Sequence, residues 1–169
     1  MANGKGEKMV TLVSKDEKEF KVEERVAKKS NLLKTMIKEE VSMNKPIRIV
    51  IVNGDVLGTV LEYCEKHAKA GEGEGEEQKA MMDEFDQEFM EKTNLDMLYG
   101  LMVASNYLDI EGLLELTTQR AADLIKGKKP EEIRALFGIK NDFDPQEYAK
   151  ISRDFFWAFK SLNLSSKEE

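Results

Sequence analysis

The stretch from Asn94 to Phe143 constrains this chain most, because its apolar residues recur at helical spacing on more than one side. Asn94 is a cap for a helix presenting Leu95, Leu98, Leu101, Met102 and Ser105. Gly100 lies inside that helix and costs about 1 kcal/mol relative to alanine, so the helix leans on packing. The residues Asn106-Tyr107-Leu108-Asp109 read as the junction to a second helix, capped by Asp109 and running to Lys126, with Ile110, Leu113, Leu114, Thr117, Ala121, Leu124 and Ile125 on one stripe. Leu116 falls off that stripe and hints at a second apolar side. Gly127 is the expected stop. A segment of this kind is either the middle of a core or a surface awaiting a partner.

With 169 residues the chain suits one domain, or a small domain with an appendage. A net charge of −7 argues against nucleic acid, whose recognition needs a cationic surface that releases counterions, and equally against anionic membranes. Lys126, Lys128 and Lys129 form the one tight basic cluster, at a helix end where cations suit the dipole. The single cysteine, Cys64, allows no intrachain disulfide, and residues Met1 to Lys8 contain no apolar secretion segment. The longest apolar run, Ile47 to Val52, is far too short to span a bilayer. The expected location is nucleus and cytoplasm.

Toward the N-terminus, Val10 and Leu12, then Phe20 and Val22, predict a β-hairpin turning at Lys15-Asp16-Glu17-Lys18. A short helix over Glu24–Lys29 and a second capped by Ser30, with Leu32, Leu33, Met36 and Ile37 on one side, follow. Ile47, Ile49 and Ile51 predict a third strand, and Asn53 caps a helix over Gly54–Ala68 with Val56, Leu57, Val60, Leu61 and Cys64 inward. The Gly-Glu repeats of Lys69 to Lys79 lack an apolar anchor and read as a flexible acidic linker, about 69–80. A phosphate-binding glycine loop does not fit there, because the segment follows a helix and its glutamates repel phosphate. Phe85, Phe89 and Met90 mark a short helix beyond it.

Two proline starts follow. Pro130-Glu131-Glu132 opens a helix with Ile133, Leu136 and Phe137; Asp144-Pro145-Gln146-Glu147 is a capping box before a helix with Tyr148, Ile151, Phe155, Phe156, Trp157 and Phe159. At ~100° per residue, Phe155, Phe156 and Trp157 span about 200° of arc, more than one supporting layer can cover. The pattern is α+β: three short strands in the first third and about seven or eight helices.

Catalytic chemistry finds little purchase. Cys64 and His67 share a helical face and could form a nucleophile–base pair in a small hydrolase, but no third group is evident to orient the histidine. They are two ligands where a structural zinc wants four, so no metal is expected. A buried cysteine beside an exposed histidine is the plainer expectation. No catalytic residue, cofactor or small-molecule substrate is assigned, and a binding module fits better than an enzyme.

The strings Asn106-Tyr107-Leu108-Asp109-Ile110, Gly112-Leu113-Leu114, Ile125-Lys126-Gly127-Lys128, Pro130-Glu131-Glu132-Ile133-Arg134 and Ile139-Lys140-Asn141-Asp142-Phe143 resemble the S-phase-kinase-associated adaptor family, the F-box-binding subunits of cullin–RING (SCF) ubiquitin ligases. Asp86-Gln87-Glu88-Phe89, Ala27-Lys28-Lys29-Ser30 and Lys34-Thr35-Met36 fit as well, so the resemblance covers about Met9 to Phe159. Glu62-Tyr63-Cys64 and Trp157-Ala158-Phe159 look most like plant members.

The resemblance implies a BTB/POZ-type fold with a small three-stranded sheet and a C-terminal helical extension. It implies a cullin-binding domain over 1–127, F-box-binding helices over 128–160 and a tail over 161–169. It implies a non-enzymatic adaptor bridging a cullin N-terminal region to the F-box of substrate receptors. Asn106 and Tyr107 match cullin-facing positions. Leu113, Leu116, Ile125, Ile133, Phe137, Ile139, Asn141, Asp142, Phe143 and Trp157 match the F-box-binding side. Asn141 and Asp142 serve equally well to fix a local turn. The alternative is a BTB-like or elongin-C-like self-association scaffold, against which the continuation to Phe159 speaks. Departures from the family pattern at Lys129, Arg48-Ile49-Val50-Ile51, Phe85, Phe137-Gly138 and Asp154-Phe155-Phe156 imply an altered F-box repertoire and a lengthened third strand.

Overall fold

The structure, a computed structural model, describes residues 8–39, 45–70 and 75–157. The chain divides into two compact units, Met1–Arg120 and Ala121–Glu169.

The first unit is built on a three-stranded sheet of order β2-β1-β3. Strands β1 (Met9–Val13) and β2 (Glu19–Glu23) pair antiparallel with Leu12 opposite Phe20. The expected alternation holds in β2, where Val22 is buried and Lys21 exposed; in central β1, Leu12 and Val13 are both buried. Helices α1 (Glu24–Ala27) and α2 (Asn31–Lys38) follow, and β3 (Ile47–Arg48) runs parallel to β1.

The third strand is shorter than its β-branched run predicts. Ile49 still donates to the Val13 carbonyl (2.7 Å) and is buried, but the chain turns at Val50-Ile51 and buries Val52 in place of Ile51. That one-residue shift breaks the period of two, and it leaves Val50 and Ile51 exposed.

Helix α3 (Gly54–Ala70) buries Leu57, Val60, Leu61, Tyr63 and Cys64. Its first N–H is capped from the hairpin: Asp16 Oδ1 accepts from Gly54 N (2.6 Å) and from the Ser14 hydroxyl (2.7 Å). The turn that ends β1 thereby fixes where α3 begins. The helix after the Gly-Glu repeat is not short: α4 spans Glu76–Lys92, 17 residues. Glutamate, glutamine, methionine and lysine are strong helix formers, Glu76 and Glu77 suit the positive end, and Glu88–Lys92 (3.0 Å) adds an i,i+4 pair. Of that repeat, residues 71–74 lie outside the described ones. Helix α5 (Leu95–Leu108) packs Leu98, Leu101, Ala104 and Leu108 into the core, and α6 (Glu111–Ile125) contributes Leu113 and Thr117.

The second unit holds α7 (Pro130–Phe137) and α8 (Pro145–Asp154). Both proline starts behave as expected. Asp144 Oδ1 accepts from Gln146 N (2.7 Å) and Glu147 N (2.9 Å), while Glu147 Oε2 accepts from Asp144 N (3.2 Å). At α7, Glu132 Oε2 accepts from Lys129 N (2.6 Å), but a lysine side chain has no acceptor to return, so that cap is half made. Helix α8 ends at Asp154, earlier than the aromatic run suggests, with Phe155 as its C-cap; Phe159 and the 161–169 tail lie outside the described residues.

Hydrogen bonds from the Ser14 hydroxyl and the Gly54 amide hold the Asp16 carboxyl down from its ordinary 3.8 to about 2. A depressed folded-state value contributes stability above pH 4 that disappears as pH falls toward 2. In urea titrations, Asp16→Asn is therefore expected to be less stable than the parent at pH 6, with the difference closing between pH 4 and pH 2.

Candidate functional site

The junction after α5 is held by four elements. Asn94 Oδ1 accepts from Met97 N (2.8 Å) and starts the helix. Gly100 is explained by packing: a Cβ there would lie 2.8 Å from Val56 Cγ2, so glycine lets α5 approach α3. At the other end Asp109 is not the cap of α6 but the left-handed residue that closes α5, with φ 53° and ψ 62°. Ile110 N reaches back to Ser105 O (2.9 Å) and Asp109 N to Asn106 O (3.3 Å), the hydrogen-bond pattern of a Schellman end. The buried Ser30 hydroxyl donates to Leu108 O and accepts from Leu33 N (3.1 Å), while Asn31 N donates to Asp109 O (3.1 Å). One serine therefore caps α2 and pins the end of α5.

Asn106 and Tyr107 lie in the last turn of α5, exposed and half-buried respectively, and not in a separate loop. At ~100° per residue, Asp96, Tyr99, Gly100, Val103, Asn106 and Tyr107 share an arc of about 120°, opposite the buried face. Tyr99 is 71% exposed and Val103 is exposed too. The sequence reading missed both. Their signal was that α5 is apolar nearly all round, which a helix with one buried face does not need. Beside this face lies an open cleft of about 440 Å³ lined by Ile51, Val56, Met97, Tyr99 and Val103, with Asp55 and Asp96 at its rim.

The residues expected on the second surface divide. Leu113 is fully buried in the first unit and belongs to its core; Leu116 is half-buried. In the second unit, Ile133 is half-buried, while Ile125, Phe137, Ile139, Phe143 and Trp157 are exposed, Trp157 to 73%. Asn141 and Asp142 are exposed, and Asn141 Oδ1 accepts from Phe143 N (3.3 Å), so it shapes the turn. Tyr148 donates from its hydroxyl to Glu131 Oε1 (2.8 Å), joining α8 to α7 and holding the Glu131 carboxyl below its ordinary range. No described residue from Thr118 to Trp157 is buried.

A family model described as "Skp1 family, tetramerisation domain" matches residues 8–69, and one described as "Skp1 family, dimerisation domain" matches residues 111–158. The chain is 44% identical over 154 residues to SKP1-like protein 13 of Arabidopsis thaliana, covering 90% of this chain and 99% of that one. It is 41% identical over 160 residues to the S-phase kinase-associated protein 1 homolog of Tetrahymena thermophila, covering 91% and 96%. It is 40% identical over 154 residues to the E3 ubiquitin ligase complex SCF subunit sconC of Talaromyces stipitatus, covering 88% and 96%. The chain belongs to the Skp1 family. Its first unit is accordingly the POZ-type α+β fold, and the plant resemblance read from the sequence extends to an identified plant relative.

In this Skp1-family chain, Cys64 and His67 are structural. Burial pushes the Cys64 thiol up to about 12, which keeps it protonated and unreactive. His67 is partly buried rather than exposed: Nε2 pairs with Asp86 Oδ1 (2.8 Å), and the ring lies on Tyr63, centroids 4.1 Å apart. The pair fastens α4 to α3. Among the described residues no His/Cys/Asp/Glu group could hold a metal ion, and no helix is long and apolar enough to cross a membrane.

Ser30→Ala removes a helix cap and leaves a buried carbonyl without its donor. The expected loss is about 2–4 kcal/mol in equilibrium unfolding, well above the roughly 1 kcal/mol of a simple capping change.

Proposed function

We propose that this chain is a non-enzymatic adaptor of an SCF-type E3 ubiquitin ligase, joining a cullin N-terminal region to the F-box of substrate receptors in nucleus and cytoplasm. The observation that carries this reading is the apolar surface the fold leaves uncovered. The solvent face of α5 presents Tyr99 and Val103 beside Asn106 and Tyr107, on the well-packed first unit. The described second unit buries nothing yet exposes seven large apolar side chains: Ile125, Phe137, Ile139, Phe143, Phe155, Phe156 and Trp157. Large apolar side chains left exposed in this number mark a protein-interaction surface. Family membership and a relative named as an SCF subunit support assigning the partners.

On this reading the cullin takes the α5 face, through Asn106 and Tyr107. The receptor F-box takes Leu116, Ile125, Ile133, Phe137, Ile139, Asn141, Asp142, Phe143 and Trp157. Leu113, fully buried in the first unit, takes no part in that surface. The adaptor contributes no bond-making group. It raises the effective concentration of a bound substrate near the ligase's catalytic end by holding two partners at once. The divergent Phe155 and Phe156 enlarge the apolar area and alter the choice of receptors.

A second reading, self-association without F-box proteins, is favoured by the wording of the two matched family models. Light scattering of the free protein and binding to a panel of F-box proteins separate the two. Tyr107→Ala is expected to weaken a cullin N-terminal fragment at least tenfold and leave F-box proteins unaffected; Trp157→Ala and Ile133→Asp should do the reverse. An intact protein that binds neither partner sinks the adaptor reading. Because nothing described beyond Thr117 is buried, amides of α7 and α8 should exchange hydrogen far faster in the free protein than with an F-box protein bound. Equal protection in both states would contradict an F-box seated there.

A further inference from the structure

Tyr148 stands near the start of α8 and Glu131 near the start of α7, and the phenol hydroxyl of the one donates to Oε1 of the other (2.8 Å). The neighbouring hydrogen bonds are local. Ile139 N donates to Arg134 O (2.8 Å) past the left-handed Gly138, Asn141 Oδ1 accepts from Phe143 N (3.3 Å), and the Asp144 box closes on Glu147. Each of these shapes one helix end or one turn and leaves the direction of α8 from α7 open. The Tyr148–Glu131 bond instead crosses 17 residues and joins the two helix starts. The chain between its ends carries Ile133, Phe137, Ile139, Asn141, Asp142 and Phe143.

Helix formation asks for neither half of this contact. Glu131 serves the positive end of α7 without touching another helix, and its ion pair with Arg134 is loose (3.9 Å). Tyr148 is half-buried in a unit where no described residue is buried. Yet the bond is close enough to hold the Glu131 carboxyl down and the Tyr148 hydroxyl up, each toward the form that keeps it. We propose that Tyr148 is a positioning residue for receptor binding: by holding the start of α8 to the start of α7, it presets the intervening apolar chain in the arrangement an F-box engages. This rests on the adaptor reading and adds a residue that acts through Glu131, outside the contact surface itself. An exposed bond stabilises a protein little, but an underpacked unit responds to a small bias. A partner that takes one arrangement binds in proportion to the fraction of molecules already in it, so losing the bond slows association.

The test uses the full chain with a panel of F-box proteins and, separately, a cullin N-terminal fragment, rates being followed by biolayer interferometry. Tyr148→Phe removes the donor and keeps the ring. Its association with F-box proteins is expected to slow roughly three- to fivefold, with dissociation changed less than about twofold. Glu131→Leu, which has no acceptor, should match it, while Glu131→Gln, which retains one, should stay within about twofold of the parent. Tyr148→Phe combined with Glu131→Leu should lose no more than the weaker-binding single variant, because both remove the same bond. Cullin rates should be unchanged throughout. If Tyr148→Phe binds F-box proteins like the parent while Trp157→Ala still weakens them, the positioning proposal fails and the adaptor reading stands. A Tyr148→Phe loss that persists in full on the Glu131→Leu background would make Tyr148 a direct contact and overturn the proposal as well. Absence of F-box binding by the parent chain overturns both.

Discussion

The hydrogen bond from Ser30 to the Leu108 carbonyl is the interaction on which the first unit's α5 face depends. It is buried, it links residues 78 apart in sequence, and the same hydroxyl caps α2. A helix end leaves its last carbonyls without partners, and one inside a core must find a donor. Ser30 supplies that donor where α5 must stop, and the left-handed Asp109 then turns the chain into α6. Asn106 and Tyr107 sit within the turn that ends at this fixed point, so their presentation follows from a serine on another helix. The Asp16 cap plays the same part for α3. In both cases a polar side chain at a turn sets a helix terminus, and the helices then carry the apolar packing.

What was legible in the sequence is what local chemistry decides. Asn94, Ser30, Gly127 and Asp144 act at the helix ends their residue types suggested, with φ +74° at Gly127, because capping depends only on a few neighbours. The hairpin was legible for the same reason. What was not legible depended on contacts between distant segments. Ile51 leaves the third strand because the chain must turn toward Gly54, whose position Asp16 dictates from 38 residues away. Asp109 looked like the start of one helix and is the end of another, since aspartate suits both roles and only the Ser105–Ile110 bond decides. Leu113 matched a surface position in the family pattern but lies in the core; an apolar stripe does not say which of its members face inward. Helix α4 runs well past its apolar anchors because the helix propensity of its Glu, Gln, Met and Lys residues extends it.

The two candidate surfaces differ in physical kind. The α5 face stands on a helix packed through Leu98, Leu101, Ala104 and Leu108, so its side chains are already positioned and little ordering entropy opposes binding. Among the described residues of the second unit none is buried, and the ties between them are exposed: Tyr148 to Glu131, and the Asp144 box. Exposed polar ties of this sort contribute little to stability. A partner that seats there must contribute the apolar burial the unit lacks and spend part of its own interaction energy on ordering.

That contrast bears on specificity. A preorganised face discriminates by fit, and the α5 face, with its acid-rimmed cleft, suits one constant partner. An exposed and underpacked aromatic surface can repack around different apolar helices, which suits more than one partner. Phe155, Phe156 and Trp157 widen the second surface without strengthening the first, since all three lie exposed past the end of α8. Substitution at these positions changes the second surface and leaves the α5 face as Ser30 and Gly100 have set it.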